Sequence, residues 1–282
     1  MKLLVDSGAT KADWIALDEQ GNRLFTTQTL GLSPEVIDRE EAISRLEARF
    51  DIYNNRNEVT ALYFYGAGCG TDRMKNFMKG IFTEFFPNAK VSVKEDTYAA
   101  AYATNPTNEK AIICILGTGS NCSYFDGAEL HQKVQSLGYI AMDDCSGNRF
   151  GRDLIRAYYF NKMPANLAKE FEQEYNLDPD AIKHNLYKEP NPNAYLATFA
   201  KFLITHKDVP FVNALIVDAM QVFVDNYITQ YENAHEVPVH FVGSIAFYLK
   251  AELADVLKRN NLILGNVLRR PIDGLIEYHE VN

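Results

Sequence analysis

The chain has 282 residues and a net charge of −9, with 28 lysines and arginines against 37 aspartates and glutamates. This length predicts two domains of roughly 100 to 180 residues each. Hydrophobic residues make up 47% and charged residues 23% of the sequence, which excludes the collagen-like, coiled-coil and disordered classes. The acidic balance, without any basic cluster, argues against nucleic acid as a partner.

The apolar segments of the chain are short. The longest, such as 111–116 and 214–217, fall well below the roughly 18 uninterrupted residues of a membrane span. The first apolar run ends at Asp6, which is not the pattern of a signal peptide. We therefore expect a cytoplasmic protein with no membrane partner.

Four cysteines are widely spaced along the chain, at positions 69, 114, 122 and 145. They form no C-x-x-C pair and have no histidine at ligand spacing, so the sequence indicates neither a zinc site nor a disulfide framework. Cys114 and Cys122 fall inside two predicted strands, and we interpret both as packing residues of those strands.

Two hairpins, each with glycine in its bend, recur about a hundred residues apart. The first joins an apolar strand at 3–5 to a mixed strand at 12–17 through a bend at 6–11. The second joins a strand at 111–116 to one at 121–125 through a bend at 117–120. The repeat predicts a duplicated unit in which each copy opens with such a hairpin.

Strands alternate with helices along the rest of the chain, which predicts an α/β fold. The segment 105–110 has turn-forming residues and no large apolar side chain, so it is the predicted domain boundary. The predicted domains are 1–108 and 109–282. Hydrophobic periodicity predicts helices at 35–50, 72–86, 97–103, 151–160, 165–175, 179–186, 193–205, 211–231 and 245–259, and strands at 61–65, 89–93 and 237–242.

The glycine bends suit phosphate binding, because glycine lets backbone N–H groups turn toward an anion. The P-loop and Rossmann patterns are absent from the sequence. Asp6, at the end of the first strand, is a candidate for holding the hydration shell of Mg²⁺. Taken singly, each bend is also an ordinary turn. The candidate phosphate-binding residues are Gly8, Thr10, Lys11, Gly117, Thr118, Gly119 and Ser120.

Acidic residues stand at two strand-to-helix junctions. Asp96 precedes the predicted helix at 97–103, where it could cap the helix or act as a general base toward a substrate hydroxyl. Asp143 and Asp144 precede another helix and have the same capping alternative. Two adjacent carboxylates exceed what a cap requires, and short carboxylates accept hydrogen bonds from the vicinal hydroxyls of a sugar.

Six motifs occur in an order that resembles the N-acetylglucosamine kinase family, which is grouped with the BadF/BadG-type ATPases in the sugar kinase, Hsp70 and actin superfamily. The likeness extends almost from end to end, and G-T-G-S-N-C is its most specific motif. The motifs are D-S-G-A-T-K at 6–11, G-L-S at 31–33, G-A-G at 66–68, E-D-T-Y-A-A-A-Y-A at 95–103, G-T-G-S-N-C at 117–122 and V-G-S at 242–244.

The resemblance implies two ribonuclease-H-like domains with ATP and a sugar in the cleft between them. It implies ATP-dependent phosphorylation of N-acetylglucosamine or a related amino sugar, with Asp96 as the catalytic base. The implied cofactor is Mg²⁺, and the implied partners are small molecules. Whether the protein forms a homodimer is left open. Gly243 and Ser244 would face the adenosine, and Thr118 would touch both ATP and sugar. The other candidate sugar-binding residues are Glu35, Asn121, Gly138, Asp143 and Asp144.

The chain departs from the family pattern at two places. Where the family usually has G-D-E-G-S, this chain has M-D-D-C-S at 142–146; the loss of glycine at Cys145 would alter how the backbone approaches the sugar. Glu35 stands where the family has asparagine near G-L-S, and a carboxylate there would favour an amine or hydroxyl donor and disfavour an acidic sugar.

Two alternatives remain at this point. One is a non-catalytic sugar or nucleotide sensor, whose altered loop binds a ligand without positioning its hydroxyl. The other is an ATPase activator of a dehydratase, which requires cysteine thiolates for an iron–sulfur cluster.

Overall fold

The structure, a computed structural model, describes residues 1–8 and 11–281, without the side chain of residue 281. The chain forms two compact units. The first contains Met1–Asn108 and the segment that begins at Arg270, and the second contains Glu109–Arg269. The break after Asn108 lies at the predicted boundary. The predicted second domain also included the C-terminal segment, and this assignment is wrong for the residues after Arg269.

The C-terminal segment joins the first unit through an aromatic interface. Its helix α13 (Ile272–Val281) packs on helix α4 (Asp96–Thr104), and the rings of Tyr278 and Tyr102 stack with centroids 4.1 Å apart. Tyr65 and His279 are joined by a hydrogen bond of 2.9 Å between their hydroxyl and Nε2 atoms. Burial lowers the pKa of His279 to about 4, so its ring is neutral at physiological pH.

The sheet of the first unit has the order β3-β2-β1-β4-β5. Strands β1 and β2 form the predicted first hairpin and are antiparallel, whereas β4 pairs in parallel with both β1 and β5. This arrangement brings the ends of β1, β4 and β5 to one edge. The five strands are β1 (Lys2–Ser7), β2 (Lys11–Leu17), β3 (Arg23–Leu30), β4 (Ala61–Gly66) and β5 (Lys90–Glu95).

The first helix of this unit begins later than predicted. Asp38 caps it by accepting the N–H of Glu41, so that α1 spans Arg39–Glu47 and a short α2 follows at Phe50–Asn54. Val36 is 72% exposed and belongs to a preceding turn rather than to the predicted apolar face. Helix α3 (Asp72–Phe85) covers the sheet and packs against β5.

The second unit repeats the topology of the first. Its sheet has the order β10-β9-β6-β7-β8, in which β6 and β7 form the second hairpin and β9 lies parallel to β6 and β10. The expected duplication of an α/β unit is therefore confirmed. The strands are β6 (Ala111–Leu116), β7 (Ser120–Phe125), β8 (Leu130–His131), β9 (Pro238–Val242) and β10 (Ile263–Leu268).

Strand β10, absent from the prediction, has an irregularity held by a buried histidine. Its register against β9 shifts between Leu264 and Val267, and Nδ1 of His240 accepts the N–H of Asn266 at 2.8 Å. A Cβ on Gly265 would overlap the His240 ring, so glycine is required at this bulge. Such a break in the alternation obscures the strand in the sequence.

The helices of the second unit follow the prediction except at their breaks. Helix α5 begins at Gly147, earlier than predicted, because Ser146 caps it by accepting the N–H of Arg149. The predicted helices at 193–205 and 245–259 are each divided in two, at Phe199 and Leu249. The helices are α5 (Gly147–Tyr159), α6 (Ala165–Glu174), α7 (Pro179–Tyr187), α8 (Pro192–Thr198), α9 (Ala200–Thr205), α10 (Pro210–Asn226), α11 (Ser244–Tyr248) and α12 (Lys250–Arg259).

One helical stretch, Pro210–Gln230, has the length and apolarity of a membrane span. Core helices of globular proteins share these properties. Its side chains Val212, Ile216 and Phe223 are fully or almost fully buried in the core of the second unit. Packing within that unit therefore accounts for the apolar composition.

The buried cysteines of the second unit pack as predicted. Cys114 and Cys122 face each other across β6 and β7 as free thiols, with their sulfurs 3.6 Å apart. Cys145 is also buried and free. Cys69 lies in the first unit.

Candidate functional site

The first hairpin closes tightly at its bend. The N–H of Gly8 donates to the carbonyl oxygen of Lys11 at 2.9 Å, and the Lys11 ammonium lies 3.0 Å from Oδ2 of Asp13. Thr10, the predicted phosphate-binding hydroxyl, lies outside the described residues. Gly8 and Lys11 are both exposed at this bend.

Three carboxylates lie near one another behind this bend. Asp6 of β1 is the register partner of Asp13 on β2. Burial, together with the charges of Asp96 and Asp13, raises the pKa of Asp6 to about 7, although Lys11 and Arg270 oppose the shift. An excess of carboxylate charge of this kind is the donor chemistry that suits a hydrated Mg²⁺ ion.

Asp96 is the first residue of α4, directly after β5. Burial, and then the neighbouring charge of Glu95, raise the pKa of Asp96 to about 6, while the backbone N–H groups of Thr97 and Asp96 lower it. Glu95, rather than Asp96, occupies the N-cap position and makes no side-chain cap bond. Asp96 therefore interacts with the start of the helix and is also a desolvated carboxylate suited to accept a proton near neutral pH.

The G-L-S loop is fixed against the ends of β1 and β4. Oγ of the buried Ser7 accepts the N–H of Leu32 at 2.9 Å. Gly68 has a φ of +81°, and a Cβ there would lie 2.7 Å from Oγ of Ser33 and 3.1 Å from Cγ of Glu35. Glycine at this position therefore allows the two loops to approach closely.

Glu35 is exposed on this loop and lies in the same acidic surroundings as the strand ends. Burial raises the pKa of the Cys69 thiol to about 12, and the charges of Asp96, Glu95 and Glu35 all contribute. The three carboxylates are therefore within electrostatic reach of one side chain. This end of the first unit is strongly acidic.

The second hairpin is joined to the start of α5. The N–H of Gly117 donates to the carbonyl oxygen of Gly119 at 2.9 Å. The N–H groups of Gly147 and Asn148 donate to the carbonyl oxygens of Gly117 and Thr118 at 2.8 and 3.0 Å. The carbonyl groups of Gly117 and Thr118 are therefore directed at the start of α5.

Gly243 is required where β9 meets this hairpin. Its φ of +123° is a conformation that only glycine adopts readily, and a Cβ would overlap the carbonyl group of Leu116. Its own N–H donates to the carbonyl oxygen of Leu268 at 3.0 Å. Ser244 follows as the first residue of α11.

A cavity of about 430 Å³ lies between these loops and helices α8, α9 and α11. The predicted residues Gly117, Thr118 and Ser244 line it together. The cavity is therefore the place where the second unit brings residues of its predicted phosphate and adenosine motifs together. The lining residues that the sequence did not predict are Gly147, Ala197, Ala200, Lys201, Ile204, Thr205, Ile245 and Tyr248.

Lys201 and Tyr248 add a cation and an aromatic ring to the cavity. The Lys201 ammonium is paired with no carboxylate among residues 1–8 and 11–280. The guanidinium of Arg269 lies 5.4 Å from the centroid of the Tyr248 ring. Neither residue belongs to a motif, so only spatial position distinguishes them from other polar residues of amphipathic helices.

The remaining predicted residues of the second unit lie outside this lining. Ser120 is buried, and its Oγ has no hydrogen-bond partner in the part of the chain that the structure describes. Oδ1 of Asn121 accepts hydrogen bonds from Ser123 and Gln132. Gly138, with a φ of +79°, accepts the N–H of Met142 in a separate turn.

The two aspartates of the altered loop are both engaged within the second unit. Asp143 is 7% exposed and accepts the backbone N–H of Ser120 and the side-chain amide of Asn148. Asp144 forms an ion pair of 2.6 Å with Arg149, which also binds Asp153. Asp143 and Cys145 both have positive φ values, 65° and 58°.

The solved structure of a protein from Porphyromonas gingivalis, assigned as an N-acetylglucosamine kinase, is similar to this chain throughout. The two are 36% identical over 100% of this chain and 99% of the other, with a TM-score of 0.93. The chain belongs to the N-acetylglucosamine kinase family. The resemblance inferred from the six motifs is confirmed.

Two more distant structures share the fold of this family member. A protein from Chromobacterium violaceum, also assigned as an N-acetylglucosamine kinase, is 18% identical over 98% of both chains, with a TM-score of 0.69. A ROK family glucokinase from Streptomyces griseus, solved with glucose and AMPPNP, is 15% identical over 99% of this chain and 98% of its own, with a TM-score of 0.58. No protein-family model and no curated protein matches the chain.

Proposed function

We propose that the protein transfers the γ-phosphoryl group of ATP to a hydroxyl of N-acetylglucosamine or a related amino sugar, with Asp96 as the general base. The observation that carries this proposal is the position of Asp96 at the end of β5, beside Glu95 and within electrostatic reach of Asp6. Sites of α/β proteins lie at such strand ends. Membership of the N-acetylglucosamine kinase family supports the same reaction class.

Asp96 acts on the acceptor alcohol. In its ionised form the carboxylate accepts the proton of the sugar hydroxyl while that oxygen bonds to the γ-phosphorus, and the bond from phosphorus to the bridging oxygen of ADP breaks. The products are the sugar phosphate and ADP, with the proton on Asp96. Its raised pKa suits this task, because a base with a pKa near the working pH accepts the proton readily and is still largely ionised.

The cavity of the second unit holds the nucleotide in this proposal. Gly117 and Thr118 provide a phosphate-binding bend, Ser244 begins a helix next to Gly243, which packs against this bend, and Lys201 supplies a positive charge. The apolar part, with Ala200, Ile204 and Tyr248, suits a nucleobase.

Asp6 would hold a hydrated Mg²⁺ ion in this proposal, because burial and then the charges of Asp96 and Asp13 raise its pKa, and a cation would offset those charges. The described residues include no group of three or more side chains that could ligate a metal directly, so the ion would keep most of its water ligands. When bound, the ion supplies neutralisation of phosphate charge. Glu35 is the proposed sugar contact of the G-L-S loop and Gly138 that of the turn before the altered loop. Asp144 is less available for sugar because Arg149 occupies its carboxylate.

A screen of ADP release over a panel of amino sugars, with and without Mg²⁺, tests this function. We expect sugar-dependent ADP formation with N-acetylglucosamine or a close relative, and its loss when Mg²⁺ is removed. Calorimetric binding of a sugar or of ATP with no ADP formed across the panel would instead identify a non-catalytic sensor.

The pH profile of the reaction is expected to report Asp96. Because the base must be ionised, kcat/KM at a Mg²⁺ concentration high enough to keep Asp6 ionised should be constant above neutral pH and fall tenfold per pH unit below an apparent pKa of about 6. Steady-state ADP release between pH 5 and 8 measures this, with circular dichroism to establish that the protein stays folded. An acid limb near pH 4, the ordinary range of a carboxyl group, would contradict the assignment.

Lys201 is expected to bind the nucleotide phosphates. Replacing it with methionine keeps the stem and the helix propensity, and removing the charge should raise the Kd of ADP about tenfold. Binding of adenosine should not change, because adenosine lacks the phosphates. Lys258→Met, at an exposed lysine of α12 that does not line the cavity, is the control; an equal loss of adenosine affinity in Lys201→Met would point to a base contact instead.

A further inference from the structure

A second cavity, of about 350 Å³, lies in the first unit where the start of α13 meets β2 and β3. All of its lining residues belong to this unit, so it is distinct from the nucleotide cavity of the second unit. None of them was predicted to bind ATP or sugar. Its volume is in the range of small-molecule sites. We call it the arginine cavity, after Arg23 and Arg270, which both line it.

The sheet wall of the arginine cavity is rich in hydrogen-bonding groups. Asp13 and Gln28 are register partners, and the Gln28 amide donates to Oδ1 of Asp13 at 2.5 Å. Ile15 and Thr26 are the next partners on the same face of the sheet. This wall therefore offers a carboxylate, an amide and a hydroxyl group around an apolar side chain.

The charges of the lining leave one cation without a partner. Arg270 binds Asp273 through two hydrogen bonds of 3.2 and 2.8 Å, and the Lys11 ammonium lies 3.0 Å from Asp13. Both carboxylates of the lining are thus neutralised. Arg23 is exposed and makes no ion pair or side-chain hydrogen bond to any residue that the structure describes. The cavity therefore carries a net positive charge.

The donors of the arginine cavity suit a phosphate group. A guanidinium group has five N–H donors, so Arg270 keeps three of them after binding Asp273, and Arg23 keeps all five. Guanidinium groups recognise phosphate through paired hydrogen bonds. An anion of this kind would also offset the unpaired charge.

The rest of the lining suits a ring with hydroxyl groups. The Asp13 carboxylate accepts hydrogen bonds, and the exposed hydroxyl of Thr26 donates and accepts them. Ile15 and Ile272 supply an apolar surface of the kind against which the face of a ring packs.

We propose that the arginine cavity binds a phosphorylated sugar, with its phosphate at Arg23 and Arg270 and its hydroxyl groups along β2 and β3. Inorganic phosphate shares only the first half of this chemistry. A sugar phosphate uses both halves.

Asp13 connects this cavity to the strand ends of the first unit. It is the register partner of Asp6, and it holds the Lys11 ammonium at the first bend. A ligand hydroxyl that donates to Asp13 would compete with Lys11. If the proposed function holds, a sugar phosphate formed by the reaction would therefore inhibit the enzyme from a place outside the proposed sugar site.

Calorimetry with N-acetylglucosamine 6-phosphate tests the proposal. Excess ADP and N-acetylglucosamine occupy the proposed active site, and Mg²⁺ is left out to prevent turnover. We expect one ligand bound per chain. Arg23→Met should raise the Kd about tenfold or more, because a charged hydrogen-bonding group is lost, and Thr26→Val should raise it about threefold. Inorganic phosphate should bind about tenfold more weakly than the sugar phosphate.

Arg73→Met is the matched control. Arg73 is an exposed arginine of α3 in the same unit and does not line the cavity. Because both arginines are exposed, both variants should melt at the original temperature. The proposal is overturned if the original protein binds no sugar phosphate at about 10 mM, if Arg23→Met binds it as tightly as Arg73→Met does, or if inorganic phosphate binds as tightly as the sugar phosphate.

Kinetics separate this site from the active site. N-acetylglucosamine 6-phosphate should inhibit ADP formation in a way that excess N-acetylglucosamine does not relieve, and Arg23→Met should lose this inhibition with an unchanged kcat. Inhibition that excess sugar relieves and that Arg23→Met retains would place the ligand at the sugar site and overturn the proposal. If the original protein forms no ADP, the proposed function fails, and the calorimetry still decides whether the arginine cavity binds.

Discussion

Replacing Asp96 with asparagine is expected to lower kcat by about two to four orders of magnitude, the range that a positioned general base contributes. Asparagine has nearly the same shape, so α4 should still begin at this residue. An amide cannot take the proton of the acceptor hydroxyl. The Kd of ADP, measured by calorimetry, should change little, because the proposed nucleotide cavity lies in the second unit.

Glu95→Gln is the matched control for Asp96. It removes a neighbouring carboxylate with the same charge change and leaves the proposed base in place. Since the charge of Glu95 raises the pKa of Asp96, the acid limb of the pH profile should move to lower pH while activity at pH 8 is retained. Normal turnover by Asp96→Asn would show that Asp96 is not the base. A loss of activity at pH 8 that is as severe in Glu95→Gln as in Asp96→Asn would show the same.

Replacing Gly243 with alanine is expected to destabilise the second unit by about 3 kcal/mol or more, from a glycine-only backbone conformation and from overlap of the new methyl group with the Leu116 carbonyl. The melting temperature should fall by roughly 6 to 12 °C. The Kd of ADP should also rise, because Leu116 leads directly into the proposed phosphate-binding bend.

Gly80→Ala is the matched control for Gly243. Gly80 lies within α3, and a Cβ there would meet nothing within 4 Å. The substitution should therefore stabilise the helix by up to about 1 kcal/mol and leave ADP binding unchanged. A melting temperature of Gly243→Ala equal to that of the original protein would contradict the backbone argument.

The two hairpins could be recognised from local signals alone. Their strands alternate in polarity and their bends contain glycine, and both kinds of information lie within about ten neighbouring residues. The observed β1–β2 and β6–β7 pairs accordingly follow the prediction closely. The same local signals place Gly117, Thr118 and Ser244 at loops, and the structure brings these residues to one cavity.

Helix boundaries were predicted less well because caps and breaks depend on individual contacts. Asp38 and Ser146 cap α1 and α5 through single side-chain hydrogen bonds. The periodicity of apolar residues does not indicate which polar residue will make such a hydrogen bond. The predicted helix at 193–205 is divided at Phe199, close to the place where α5 packs tightly on α8 and a Cβ on Gly151 would overlap the backbone of Leu196.

The family, the α/β class, the duplicated topology and the strand-end position of Asp96 can thus be read from the order of residues, because motifs, turns and periodicity are short-range. The return of the C-terminal helix to the first unit, the lining of the cavity by Lys201 and Tyr248, and the hydrogen bonds of the Asp143 carboxylate depend on contacts between segments far apart in the chain. Such contacts leave no periodic pattern, since each is made by one side chain whose direction is set by the packing around it.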